Sequence, residues 1–182
     1  TTNACAVPLY KTSSFVFNDT EHAANLFGLR ELGNIYTRLM NPTTDVLEQR
    51  VAAMEGGAAA LGIASGTSAV FYSIINIAQE GDEIISANNL FGGTYTQFND
   101  ILPKFGIKVK FVDPKDPANF AAAITDKTKA LFCESVSNPG LDVADLEAIA
   151  NVADDHGIPL LVDSTFSTPY LTNPIEHGAS IV

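Results

Sequence analysis

The chain has 182 residues and is 46% hydrophobic, long enough to bury one sizeable core. Its 21 acidic and 10 basic side chains leave a formal charge of −11 and a pI near 4.4, so its field repels nucleic-acid backbones and anionic lipid surfaces. Cys5 and Cys133 lie far apart, and Cys133 sits in an apolar run where a reduced thiol packs as a small hydrophobe. With no signal-like leader and no apolar run approaching about 20 residues, a cytoplasmic chain without nucleic-acid or membrane partners is expected.

In chain order, residues 1–43 show little periodicity and many Thr, Asn and Ser, and read as an arm or long loop. Thr44 and Asp45 can cap a helix with Val46, Leu47, Val51 and Met54 on its apolar side, ended by Gly56-Gly57. Short apolar runs then alternate with helical patterns. Strands are predicted at 59–64, 83–87, 108–112, 130–133 and 159–162, with another starting at 181–182. Helices are predicted at 67–79, 94–102, 119–124 and, capped by Asp142, 143–155. This alternation predicts an α/β fold over residues 44–182, a mostly parallel sheet covered by helices. The chain lacks an initiator Met and closes on a strand-like Ser180-Ile-Val182, so it is expected to continue at both ends.

In such sheets ligands bind at the carboxyl ends of the strands, here the loops beginning at Ser65, Asn88, Glu134 and Asp163. Ser65-Gly66-Thr67 is a strand-to-helix turn whose backbone N–H groups can face an anion, although capping by Ser65 or Thr67 explains the same residues. No G-x-G-x-x-G, P-loop, H-E-x-x-H or C-x-x-C occurs, and the three histidines are not clustered, so no metal site is expected. Asp163 ends an apolar strand and calls for a cationic partner, unless it only bonds Ser164 and Thr165. Glu134 and Asn138 bring a carboxylate and an amide to the next loop, where the Asn-Pro turn also accounts for Asn138. Phe91 precedes two glycines that admit something flat, or is a core aromatic. Tyr36 and Arg38 suit a phosphate clamp, with a surface salt bridge as the plainer role for Arg38.

Together these segments resemble the cysteine and methionine metabolism family of pyridoxal-phosphate enzymes. The likeness rests on Pro8-Leu-Tyr-Lys-Thr-Ser-Ser-Phe15, Tyr36-Thr-Arg-Leu-Met-Asn-Pro-Thr43, Glu55-Gly56-Gly57, Ala64-Ser-Gly66, Phe91-Gly-Gly-Thr-Tyr95, Glu134-Ser-Val-Ser-Asn-Pro139 and Val162-Asp-Ser-Thr-Phe-Ser-Thr-Pro169. The resemblance implies the large cofactor domain of a fold-type I enzyme, with residues 1–43 reaching a neighbouring subunit and a C-terminal domain beyond this chain. It also implies pyridoxal 5'-phosphate as cofactor, with Ser65, Gly66 and Thr67 at its phosphate. Tyr36 and Arg38 would reach that phosphate from the partner subunit of a homo-oligomer, a dimer of dimers. Phe91 would stack on the ring, where many relatives have a tyrosine, and so could not use a phenol there. Asp163 would pair with the ring nitrogen, Thr165 would lie beside the ring, and Asn138 would sit near the ring hydroxyl and, with Phe91, the substrate. The Schiff-base lysine is expected just after Val182. The implied reaction is γ-replacement on O-acetylhomoserine, an amino-acid substrate, by sulfide. Cystathionine γ-synthase and the cystathionine and methionine γ-lyases remain alternatives, as does a noncatalytic phosphate-binding or assembly module.

Overall fold

In the computed structural model, which describes residues 5–182, β1 (Glu83–Ala87), β2 (Lys108–Val112), β3 (Thr128–Glu134) and β4 (Leu160–Asp163) form a parallel sheet in the order β2-β1-β3-β4. Every position of β1 is buried, as are nearly all of β3, which requires cover on both faces of the sheet. The cover comes from α3 (Gly66–Ile77), α4 (Gly92–Thr96) with the π turn Gln97–Ile101 and the tight turn Leu102–Phe105, α5 (Ala118–Ala123) and α6 (Leu146–Asp155). Ile74, Phe98, Leu102, Phe120, Ile149 and the strand residues Ile84, Ile85, Leu131 and Leu160 form the core, with Phe98 edge-on to Phe132 at 4.9 Å. The fold is the α/β architecture read from the alternation of runs. Among the described residues no helix is long and apolar enough to cross a membrane.

Two compact units divide the chain, one of residues 5–53 with Ala58–Gly62, the other of Met54–Gly57 with Ile63–Val182. The first holds α1 (Thr20–Phe27), capped by Asp19, and most of α2 (Pro42–Glu55). The first four residues of the predicted arm lie outside the described residues.

Three details differ from the sequence-based expectation. The α2 helix begins at Pro42, and Asn41 caps it by accepting the Thr43 N–H at 2.8 Å; Thr44 and Asp45 already lie inside the first turn. Its expected apolar side is open, with Leu47 and Met54 more than half exposed. The run 59–64 is irregular and forms no strand: the Gly62 N–H is taken by Glu48 Oε1 at 2.7 Å, and no ladder partner faces the run among the described residues. Finally, α6 begins at Leu146 under Asp145, whose Oδ1 accepts the Ala148 N–H at 3.1 Å. Asp142 cannot be the cap because residues 135–144 fold back on themselves. Its carbonyl accepts the Ser137 N–H at 2.9 Å, and Val136 and Val143 form an antiparallel bridge.

At the opposite end of the sheet from the strand carboxyl termini, Glu83 is nearly buried and accepts from Lys110 Nζ at 2.6 Å and from Thr125 Oγ1 at 2.7 Å, with Lys108 Nζ at 3.6 Å. The Lys110 and Thr125 hydrogen bonds hold its carboxyl down to about 2. A carboxylate held below its unfolded value stabilises the fold above that value and loses this on acidification. Thermal unfolding followed from pH 6 to pH 2 should therefore reveal a contribution of about 1–3 kcal/mol that fades between pH 4.5 and about 2 and is missing in Glu83→Gln.

Candidate functional site

The chain winds from β1 out to β2 and back past β1 to β3, so the loops leaving β1 and β3 diverge and open a crevice at their carboxyl ends. A cavity of about 280 Å³ fills this crevice, lined by Phe91 and Thr94 after β1, Glu134, Val136 and Asn138 at the end of β3, Asp163, Thr165 and Phe166 after β4, and Gly66, Thr67 and Val70 of α3. This is near the lower end of small-molecule sites, roughly 300–1,000 Å³. Seven residues singled out from the sequence, Gly66, Thr67, Phe91, Glu134, Asn138, Asp163 and Thr165, are thus brought together.

Ser65 is the N-cap of α3: its Oγ accepts the Ser68 N–H at 3.1 Å and lies 2.9 Å from Ser68 Oγ. It does not line the cavity. With that capping done by Ser65, the N–H groups of Gly66 and Thr67 have no acceptor among the described residues. They stand at the positive end of a 12-residue helix, which attracts anions. A Cβ built on Gly66 would meet nothing within 4 Å, so packing does not demand glycine there; its bareness keeps the cavity open beside the free amides.

Asp163 uses one oxygen locally. Its Oδ1 accepts the Thr165 N–H at 3.0 Å and the Thr165 hydroxyl at 2.5 Å, while Oδ2 has no partner among the described residues. The local reading of Asp163 therefore holds for Oδ1, which Thr165 engages twice. Its register partner across the sheet is Glu134. The Glu134 side chain receives the Phe91 N–H on Oε1 at 2.6 Å and the Asn138 N–H on Oε2 at 3.1 Å. Burial pushes the Glu134 carboxyl above the usual range, the nearby Asp163 charge adds to this, and the two backbone N–H donors work against both.

Phe91 is no core aromatic: it is 47% exposed, lines the cavity, and its ring lies against Gly93, where an added Cβ would come within 2.5 Å of the Phe91 Cε1. Tyr36 and Arg38 belong to the first unit, where the Arg38 guanidinium sits 5.0 Å from the centre of the Tyr36 ring.

Val70, Thr94, Val136 and Phe166, and the tethering role of Glu134, were not singled out from the sequence. Spacing could have found some of them. Val70 is one helical turn from Gly66 and Thr67, and Val136 is two residues along the extended chain from Glu134. In Glu134→Gln an amide NH₂ must face one of the two backbone donors. That change should cost about 1–3 kcal/mol in urea unfolding and speed hydrogen exchange at the Phe91 and Asn138 amides.

Comparison with known proteins gives these features a setting. The family model described as Cys/Met metabolism PLP-dependent enzyme matches residues 1–182. The O-acetyl-L-homoserine sulfhydrylase of Leptospira meyeri is 57% identical across the whole chain, which covers 41% of that protein. Among solved structures, an O-acetylhomoserine (thiol)-lyase of Campylobacter jejuni carrying pyridoxyl-lysine monophosphate superposes with a TM-score of 0.94 at 44% identity, over 96% of this chain and 43% of that one. A cystathionine γ-lyase of Lactobacillus plantarum complexed with L-serine superposes with a TM-score of 0.89 at 34% identity, over 98% of this chain and 44% of that one. The chain therefore spans less than half the length of these relatives. With a family model matched from end to end, the chain belongs to the Cys/Met metabolism family of pyridoxal-phosphate-dependent enzymes.

Proposed function

We propose that the full-length protein replaces the acetoxy group of O-acetyl-L-homoserine with sulfide, giving L-homocysteine and acetate, with pyridoxal 5'-phosphate held in the crevice of the second unit. The observation that carries this reading is the arrangement of one cavity: free amides at the bare Gly66–Thr67 turn, and an unpartnered Asp163 Oδ2. The first fits a phosphate and the second a protonated ring nitrogen. The choice of substrate is supported by the 57% identical relative named for that activity.

Pyridoxal 5'-phosphate, when bound, supplies an electron sink for charge developing on the carbons of an amino acid. The chain's own residues divide the remaining work. Gly66 and Thr67, with Ser65 holding the turn, bind the phosphate through N–H groups and the helix dipole. Asp163 keeps the ring nitrogen protonated; a charge pair about 4 Å apart at an effective dielectric near 20 is worth roughly 4 kcal/mol before desolvation. Thr165 orients that carboxylate. Phe91 offers an apolar plate for stacking and carries no hydroxyl, so it moves no proton. Asn138 directs its amide to the ring hydroxyl and the substrate carboxylate.

Residues 1–43 act as an arm that delivers Tyr36 and Arg38 to the phosphate site of a neighbouring subunit in a homotetramer, and 44–182 open the cofactor domain. The Schiff-base lysine and a C-terminal domain complete the site beyond Val182. A cytoplasmic location agrees with Cys133, a buried free thiol that desolvation pushes up to about 12, far from reactive.

Incubating the full-length protein with O-acetylhomoserine and sulfide should release homocysteine and acetate in equal amounts. Turnover of cystathionine or methionine to ammonia and a keto acid, without homocysteine formation, would reassign it to the γ-lyases. Homocysteine formation should fall by about 10²–10³ in kcat for Asp163→Asn, the rate equivalent of a few kcal/mol. In Gly66→Ala the thermal midpoint should hold or rise slightly, since alanine is favoured over glycine in helices by up to about 1 kcal/mol. Cofactor affinity, measured by absorbance titration, should nonetheless drop at least about tenfold in that variant, the scale of losing one good hydrogen bond.

A further inference from the structure

Gln97 opens the π turn that follows α4 and is 8% exposed. Its Nε2 donates to the Thr67 carbonyl at 3.1 Å. Its Oε1 is buried and has no hydrogen-bond partner among the described residues. This orientation is the one the surroundings allow, because a flipped amide would set Oε1 against the Thr67 carbonyl oxygen, acceptor against acceptor. A leucine or methionine would occupy a similar volume and leave no orphaned atom, so the polar side chain is justified by the bond its other end makes.

That bond falls at a sensitive place. The Thr67–Ser68 peptide is held at both ends, its carbonyl by Gln97 and its N–H by Ser65 Oγ at 3.1 Å. Thr67 itself contributes one of the free N–H groups of the cavity. Gln97 also lies just beyond α4, the short helix that Phe91 begins as N-cap. One hydrogen bond therefore ties the segment carrying the aromatic plate to the turn carrying the anion site. π turns interrupt a regular helix and occur often at functional sites.

We infer that Gln97 is a positioning residue. It fixes the peptide next to the Gly66 and Thr67 amides and their spacing from the Phe91 ring, so that an aromatic ligand and its attached anion are recognised as one rigid piece. This rests on the cofactor reading above and deepens it: Gln97 should matter for the phosphate of the ligand and little for its ring.

The test uses the full-length protein stripped of cofactor, with pyridoxal 5'-phosphate and unphosphorylated pyridoxal as probes and equilibrium affinity as the readout. Gln97→Leu should weaken pyridoxal 5'-phosphate about five- to tenfold, the scale of one hydrogen bond, and leave pyridoxal within about twofold. Gln97→Met, which keeps the length and removes the donor, should behave the same and guards against poor folding of the first variant. Equal losses for both probes, no loss for either, or unfolding of both variants would each overturn the inference, since Gln97 would then be packing or nothing. If the unaltered protein binds neither probe, the cofactor reading itself fails and this inference falls with it.

Discussion

Two backbone N–H groups from separate loops end on one carboxylate. Glu134 takes the Phe91 N–H on one oxygen and the Asn138 N–H on the other, at the last residue of a buried central strand. The loops after β1 and β3 diverge at the winding reversal, and nothing in the parallel ladder itself ties them together. A side chain with two acceptors and no donor is suited to that task, because each oxygen can satisfy an amide that would otherwise be stranded at the rim. The cavity's shape thus depends on a carboxylate that stays close to its donors against the cost of burial. That cost appears as its raised affinity for a proton.

Register then carries the effect across the sheet. Glu134 and Asp163 are partners in the β3–β4 ladder, so fixing the end of β3 also fixes the height at which Asp163 enters the cavity. Thr165 completes this by bonding Asp163 twice on one oxygen and leaving the other without a partner among the described residues. Facing them, α3 needs one cap from Ser65 to spare its next two amides. Each part is an ordinary local motif, and their convergence on one volume is what makes the cavity.

Much of this was legible in the sequence because period and punctuation are local. The strands at 83–87 and 108–112 were found to the residue, since β-branched and apolar runs bounded by Gly, Asp and Asn leave little choice. The run 59–64 looked the same but is not a strand, because a strand needs a neighbour and Gly62 had already given its N–H to Glu48. The helix expected to begin at 143 was set back by a chain reversal over 135–144, whose side-chain and backbone bonds span positions that no helical period connects. Phe91, Glu134, Asn138, Asp163 and Thr165 were readable from their places at or just after strand ends, and Gly66 and Thr67 from the start of a helix. The tether made by Glu134 and the brace made by Gln97 were not, because both depend on contacts between residues about 30 or more apart in the chain.

The charges of the cavity form a dipole. One end is the amino terminus of α3, with its partial positive charge and free N–H groups; the other is the pair of carboxylates at the ends of β3 and β4. No lysine or arginine occurs among the described residues that line the space between them. A ligand anionic at one end and cationic at the other is therefore oriented before any specific contact is completed, and the reversed pose sets like charges together at both ends. In a chain with a formal charge of −11, a phosphate must be attracted against the overall field. Under the proposed reading, free amides and a helix end would do this at short range, joined by Arg38 of a neighbouring subunit. The side chains that hold the α3 turn, Ser65 and Gln97, therefore set where those amides point.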